Sequence, residues 1–167
     1  AQYALAVMPG FWPAALLLAD LHEQAGSPKK AVKPLETAFR NMPHESLAMR
    51  LRTLWGVNEG TAAGRLMRLI PDDGALAAEG RRVVAAVALE NGLVGEARRL
   101  IDEIDPAMRD AAAWRLVARL AAEGEAPDSA AENDALREAG KAPRPRRWQC
   151  ASCQLVHKAW QPHCGGC

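Results

Sequence analysis

The sequence is poor in aromatic side chains, with five Trp, two Phe and one Tyr, whereas it holds 34 alanines among its 167 residues. Because β-sheets favour aromatic and β-branched residues and alanine is the best helix former, this composition argues against a β-sandwich or barrel. It also lacks any apolar run of about 18 residues and any basic, apolar signal sequence at its start. The composition therefore predicts a mostly helical globular protein with no visible targeting or membrane-spanning segment.

Acidic residues are missing from one end of the chain and cysteines from the other. Residues 1–140 carry all 20 acidic residues and a net charge of −4, whereas residues 141–167 carry five basic residues and no acid. All four cysteines fall within the last 18 residues. These shifts predict three parts: a helical array at 1–140, a basic, proline-rich linker at 141–147 and a four-cysteine hairpin at 148–167.

An internal repeat appears in the N-terminal part. The segment ALAVMP at 4–9 recurs as AFRNMP at 38–43, so that Ala4, Met8 and Pro9 return 34 residues later. Thirty-four residues is the period of tetratricopeptide repeats, which stack antiparallel helix pairs into a solenoid. With Trp12 at the first position of a repeat, small or apolar residues fall at the helix crossings, where close approach requires them. They are Leu18, Ala19, Ala31, Leu35 and Ala38.

Turn chemistry supports the same reading further along the chain. Gly26, Ser27 and Pro28 supply a helix stop, a cap and a helix-starting proline, and Asn91-Gly92 predicts a second such turn. A last, polar helix is expected from Asp128 to about Ala139. In such a solenoid the first helix of each pair would line a concave surface suited to a protein partner. The alternative to a solenoid is a single bundle of unrelated helical hairpins. Four polar residues lie either on that concave surface or on ordinary solvent-exposed helix surface: Asp20, Glu23, Arg82 and Glu90.

The cysteines form two CxxC pairs, Cys150/Cys153 and Cys164/Cys167, with ten residues between the pairs. A segment of this size cannot build a core from apolar burial, so a covalent or metal cross-link is needed. Two such pairs can present four thiolates to one ion, and Gly165 and Gly166 are expected to allow the tight turn of the second pair. We predict a structural Zn²⁺ site of Cys150, Cys153, Cys164 and Cys167, with iron as the alternative metal.

Other interpretations of the tail stay open at this stage. The cysteines could form disulfides or a thioredoxin-like redox pair, and His157 or His163 could replace one sulfur ligand. The basic tail with Trp148 and Trp160 could stack on nucleic-acid bases, but its five positive charges and the acidic main body argue against nucleic acid as a partner. We expect the two tryptophans to cover the hairpin or to dock it onto the helices.

Helical repeats followed by a terminal W-x-C-x2-C…W-x-P-x-C-x2-C hairpin resemble the C-terminal region of HemY-type proteins of α-proteobacteria. The matching residues are Trp148, Cys150, Cys153, Trp160, Pro162, Cys164 and Cys167. The resemblance implies a cytoplasmic protein held at the inner membrane by an upstream anchor outside this chain, and a link to late haem biosynthesis. LapB-type regulators of lipopolysaccharide assembly, with tetratricopeptides and a rubredoxin-like module, are similar too. Their knuckles usually read CxxCG, whereas Gln154 follows the first pair here.

No catalytic pattern accompanies these features. The chain has no phosphate-binding loop, no H-E-x-x-H motif and no nucleophile elbow, and its four histidines are scattered. The sequence therefore predicts a non-catalytic protein–protein interaction scaffold, an all-α tetratricopeptide-like solenoid that ends in a small zinc-ribbon or rubredoxin-like hairpin. A redox- or metal-responsive switch is the rival hypothesis, and haem binding through His22 is a third.

Overall fold

The computed structural model describes residues 1–72, 74–123, 127–144, 146–157 and 159–167. Over these residues the chain is mostly helical and ends in a small two-stranded hairpin, as the composition predicts. A short 3-10 helix, Pro106–Met108, precedes the eighth α-helix. The helices are α1 Gln2–Val7, α2 Trp12–Gln24, α3 Pro28–Asn41, α4 Glu45–Trp55, α5 Glu59–Met67, α6 Gly74–Glu90, α7 Val94–Asp102, α8 Ala111–Ala122 and α9 Ser129–Lys141, and the strands are β1 Trp148–Gln149 and β2 Val156–His157.

The helix boundaries follow local signals in the sequence. Gly26 and Gly92 adopt left-handed backbone angles, with φ of 67° and 75°, in the turns after α2 and α6, where the sequence predicts them. Pro28 opens α3, where a missing N–H costs nothing. The Asp128 carboxylate accepts hydrogen bonds from Ala130 N and Ala131 N, and α9 continues to Lys141, slightly beyond the predicted end.

The helices pack as neighbours in chain order. Helix α2 packs on α3, α6 on α7 and α8 on α9, while α2, α4, α6 and α8 also contact one another in succession. The predicted crossing positions are buried: Ala19, Ala31, Leu35 and Ala38 expose none of their surface. These small residues let the helix axes approach, and larger apolar residues fill the space beside them. Among the helices that the structure describes, none combines the length and the apolar character needed to cross a bilayer.

Polar residues on the first helices are paired across the array. Arg50 of α4 contacts both Asp20, at 2.7 Å, and Glu23 of α2. Arg82 of α6 donates to Glu45 of α4 at 2.8 Å, and its side chain is 13% exposed. Asp20, Glu23 and Arg82 thus link neighbouring first helices by charge, whereas Glu90 is exposed at the end of α6.

Candidate metal centre

The hairpin brings the first cysteine pair into a tight turn. Strands β1 and β2 are antiparallel, with Trp148 opposite His157. Between them Cys150 N donates to Leu155 O at 2.9 Å and Gln154 N donates to Cys150 O at 3.0 Å. These two bonds close a loop that carries Cys150 at its start and Cys153 inside it, so both sulfurs face the second pair.

The four sulfur atoms lie together. Cys150 Sγ is 3.7 Å from Cys167 Sγ, Cys153 Sγ is 3.5 Å from Cys164 Sγ, and all four lie within 4.8 Å of one another. Tetrahedral coordination with zinc–sulfur bonds of about 2.3 Å places sulfurs about 3.8 Å apart, whereas a disulfide needs about 2.05 Å. The two closest distances fit ligands around one ion and are too long for disulfide bonds. The four predicted ligand residues are therefore brought into one site that could hold a metal.

The two glycines of the second pair lie in the turn that the sequence predicts. Gly165 and Gly166 lie in a turn, but neither has a left-handed backbone. A Cβ at Gly166 would lie 2.7 Å from Leu155 Cδ2 and 3.6 Å from Cys153 Sγ, whereas one at Gly165 would meet nothing within 4 Å. Gly166 N also points at Cys164 Sγ, 3.4 Å away. The close contact at 166 is therefore with the Leu155 side chain, whereas both neighbouring sulfurs would lie at ordinary van der Waals distance from a Cβ there.

The left-handed residue of the hairpin is Gln154, with φ of 61°. It occupies the position after the first pair, where CxxCG knuckles carry glycine. Its side-chain Nε2 donates to Ala151 O at 3.2 Å, and its own carbonyl accepts from Gln149 Nε2 at the same distance. Gln154 therefore adopts the backbone conformation that glycine has in CxxCG knuckles, but its Cβ makes this conformation strained.

The thiols differ in acidity although they are neighbours. The backbone amides of Cys153 and Ser152 lower the pKa of Cys150 to about 6, because their N–H groups stabilise its thiolate. The hydrogen bond between the Cys167 thiol and the Cys150 sulfur is the main cause that raises the pKa of Cys167 to about 12, because it stabilises the protonated thiol. A divalent cation bound by the four sulfurs would instead favour the thiolate form of each cysteine. Metal uptake should accordingly release protons.

The two histidines of the tail take different places. His157 Nε2 lies 3.4 Å from Cys164 Sγ, and His163 is exposed. Over the described residues, the group that could hold an ion consists of the four cysteines and no histidine. His157 is therefore positioned to donate to a ligand sulfur, as outer residues of metal sites commonly do.

Aromatic contacts join the hairpin to the start of α2. The ring of Phe11 meets Trp148 edge-on at 5.9 Å and Trp160 edge-on at 5.3 Å, and Trp12 lies 6.1 Å from Trp148. The expectation that the tryptophans dock the hairpin onto the helices is confirmed. The sequence does not predict this role of Phe11. The one signal for it is that Phe11 directly precedes Trp12 in a chain with two phenylalanines.

The chain matches no protein-family model, no curated protein and no solved structure. The fold and the site therefore define its class by themselves. They describe a mostly helical protein whose C-terminal hairpin gathers four cysteines able to hold a metal ion.

Proposed function

We propose that this protein is a non-catalytic scaffold, a tetratricopeptide-like helical array that binds a protein partner and is completed by a structural zinc hairpin. The observation that carries the proposal is the convergence of four sulfurs, at tetrahedral spacing, in a hairpin docked on the first full helix pair. Four thiolates leave no open coordination position, which is typical of structural zinc and not of catalytic zinc. Iron bound in the same manner is the alternative.

The helical part supports the repeat half of the proposal. The 34-residue recurrence, the buried small residues and the left-handed glycine turns agree with one another, although each arises from a different physical requirement. With the resemblance to HemY-type proteins, they favour a role at the inner membrane in late haem biosynthesis, with a LapB-type regulator as the alternative. Bound zinc would cross-link the two cysteine pairs and keep Trp148 and Trp160 against Phe11.

Elemental analysis of the purified protein, with a thiol titration, tests the zinc half. We expect one zinc per chain and four thiols titratable only after denaturation with a chelator. Cys150→Ser should release the metal, while His157→Ala, the matched control beside Cys164, should retain it with weaker affinity. Disulfides in the wild-type protein, or full metal content in Cys150→Ser, would contradict the proposal.

Affinity capture from the source cell tests the scaffold half. A partner purified after capture should bind the intact chain stoichiometrically, and Arg50→Ala, which breaks the contact between α2 and α4, should weaken it more than Arg137→Ala on the exposed side of α9. Turnover of any substrate by the purified chain would refute the non-catalytic assignment.

A redox- or metal-responsive switch is the second candidate, favoured by the exposure of Cys153 and Cys167. Peroxide would oxidise two thiolates to a disulfide, itself be reduced to water, and release the ion. Under this hypothesis mild peroxide changes partner affinity and a dithiol restores it. An affinity that peroxide leaves unchanged would refute the switch and leave the scaffold standing.

A further inference from the structure

The linker between α9 and the hairpin returns along the first helices of the array. Pro143 O accepts a hydrogen bond from Ala111 N at 2.9 Å, at the first turn of α8. Trp148, at the other end of the linker, contacts Phe11 and Trp12 at the start of α2. The described linker residues Pro143, Arg144, Arg146 and Arg147 therefore lie over α8, α6 and α4 on the way to α2.

The helix surface beneath this segment is acidic, and we name it the linker groove: Glu45, Glu79, Arg82, Asp110 and Ala112. Arg82 is its one basic residue, and Glu45 at 2.8 Å and Asp110 at 3.9 Å already compensate its charge. Burial is the main cause that raises the pKa of Glu79, and Asp110 adds to the shift, while Arg146 from the linker and Arg82 oppose it. Glu79 is thus the groove carboxylate that interacts with a linker arginine, whereas Glu45 and Asp110 pair with Arg82.

The linker fills this groove incompletely. Two cavities of about 330 Å³ each lie between linker and helices, and Glu79, Arg82 and Arg146 line both of them. The side chains of Arg144, Arg146 and Arg147 are largely exposed. Among the linker residues that the structure describes, the Pro143 O–Ala111 N hydrogen bond is the backbone contact with the array, and a better-fitting chain could displace a segment held in this way.

We propose that the linker groove is a binding site for an extended, arginine- and proline-containing segment of another protein, and that the linker residues Pro143, Arg144, Arg146 and Arg147 occupy it within the free chain. This inference rests on the proposed scaffold function and names the chemistry of its partner. Proline keeps such a segment extended at low entropic cost, and the arginine fork suits the groove carboxylates.

The metal hairpin determines how strongly the linker competes with a partner segment for the linker groove. While the hairpin is docked, both ends of the linker are fixed, which gives it a high effective concentration at the groove. Loss of the ion would release the hairpin and leave the linker anchored only at its start, through α9 and the Pro143 O–Ala111 N hydrogen bond. Metal removal therefore makes the groove more accessible to a partner in trans.

A labelled peptide with the sequence of residues 141–148 tests the proposal by fluorescence anisotropy on the full-length chain. The zinc-loaded wild type is compared with Cys150→Ser/Cys153→Ser, in which the hairpin is released. We expect the released chain to bind about tenfold more tightly. In that background Glu79→Gln should weaken binding about fivefold, whereas Glu123→Gln, at the far end of α8, should not change it.

Circular dichroism verifies that each variant keeps its helices, and the affinity should fall as salt is raised. Equal affinity for wild type and released chain, no effect of Glu79→Gln, or binding insensitive to salt would overturn the inference. A groove that binds no peptide overturns it as well. The zinc content and the partner capture by the intact chain stay unaffected by such a failure, so the two proposals are told apart.

Discussion

At the scale of the residue, His44 has two structural roles that depend on its protonation. Its Nδ1 accepts a hydrogen bond from Ser46 N at 3.2 Å and so caps α4, and its ring stacks on Trp12 at 4.0 Å. Burial lowers the pKa of His44; Glu45 opposes this shift and Arg82 reinforces it. The cap requires an Nδ1 without a proton, which agrees with the direction of the shift.

This lowered pKa predicts a pH-dependent stability. As the pH falls through the ordinary pKa of 6.5, His44 becomes protonated in the unfolded chain but not yet in the folded protein. The free energy of unfolding therefore decreases. It levels off once the pH is below the lowered folded value. Urea unfolding at a series of pH values should show this decrease in the wild type, and His44→Asn, which can still cap the helix, should lose it. The same pH dependence in both proteins would contradict the assignment.

Gln154 gives a second prediction at this scale, because its φ of 61° is unfavourable for a residue with a Cβ. Gln154→Gly should raise the zinc affinity by about fivefold, equivalent to about 1 kcal/mol of relieved strain less the added chain entropy. Gln149→Gly, the same substitution in β1 where the backbone is ordinary, should lower the affinity. Competition with a colourimetric chelator measures both. A loss of affinity in Gln154→Gly would show that its bond to Ala151 O matters more than its backbone.

At the scale of the element, sequence and structure agree where the cause is local. The turns at Gly26 and Gly92 and the start of α9 beside Asp128 are fixed by residues within a few positions, so the sequence predicts them. The cysteine pairs are also predictable, because a two-residue spacer already constrains two sulfurs. The pairing of Arg50 with α2 is not, since it joins residues 30 apart through side-chain geometry.

Arg109 links two elements in a way that can be measured. Its guanidinium donates to Ile101 O at 3.0 Å and Ile104 O at 3.1 Å, at the end of α7, and lies 5.0 Å over the Trp114 ring of α8. Arg109→Lys keeps the charge but loses the fork, and should lower the free energy of unfolding by about 1–2 kcal/mol. Arg137→Lys, on the exposed side of α9, should change it by less than about 0.5 kcal/mol. Equal effects in chemical denaturation would refute the capping role.

At the scale of the whole molecule, the hairpin and the first helix pair come from opposite ends of the sequence. The composition marks the tail as a separate unit, and its small size shows that it needs a cross-link. The sequence allows the expectation that Trp148 and Trp160 dock the hairpin onto the helices, but not that Phe11 receives them, because this contact joins residues at opposite ends of the chain.

This docking predicts that metal binding and the helical array stabilise each other. Phe11→Ala should weaken zinc binding, and Cys150→Ser should lower the melting temperature of the helices, but the two changes together should cost less than their sum. We expect a coupling of about 1–2 kcal/mol from the two edge-on aromatic pairs. Tyr3→Ala, at a residue 84% exposed on α1, is the matched aromatic control and should show no coupling. Strict additivity in the Phe11 cycle would mean that hairpin and array fold independently, and the metal could then exert no control over the linker groove.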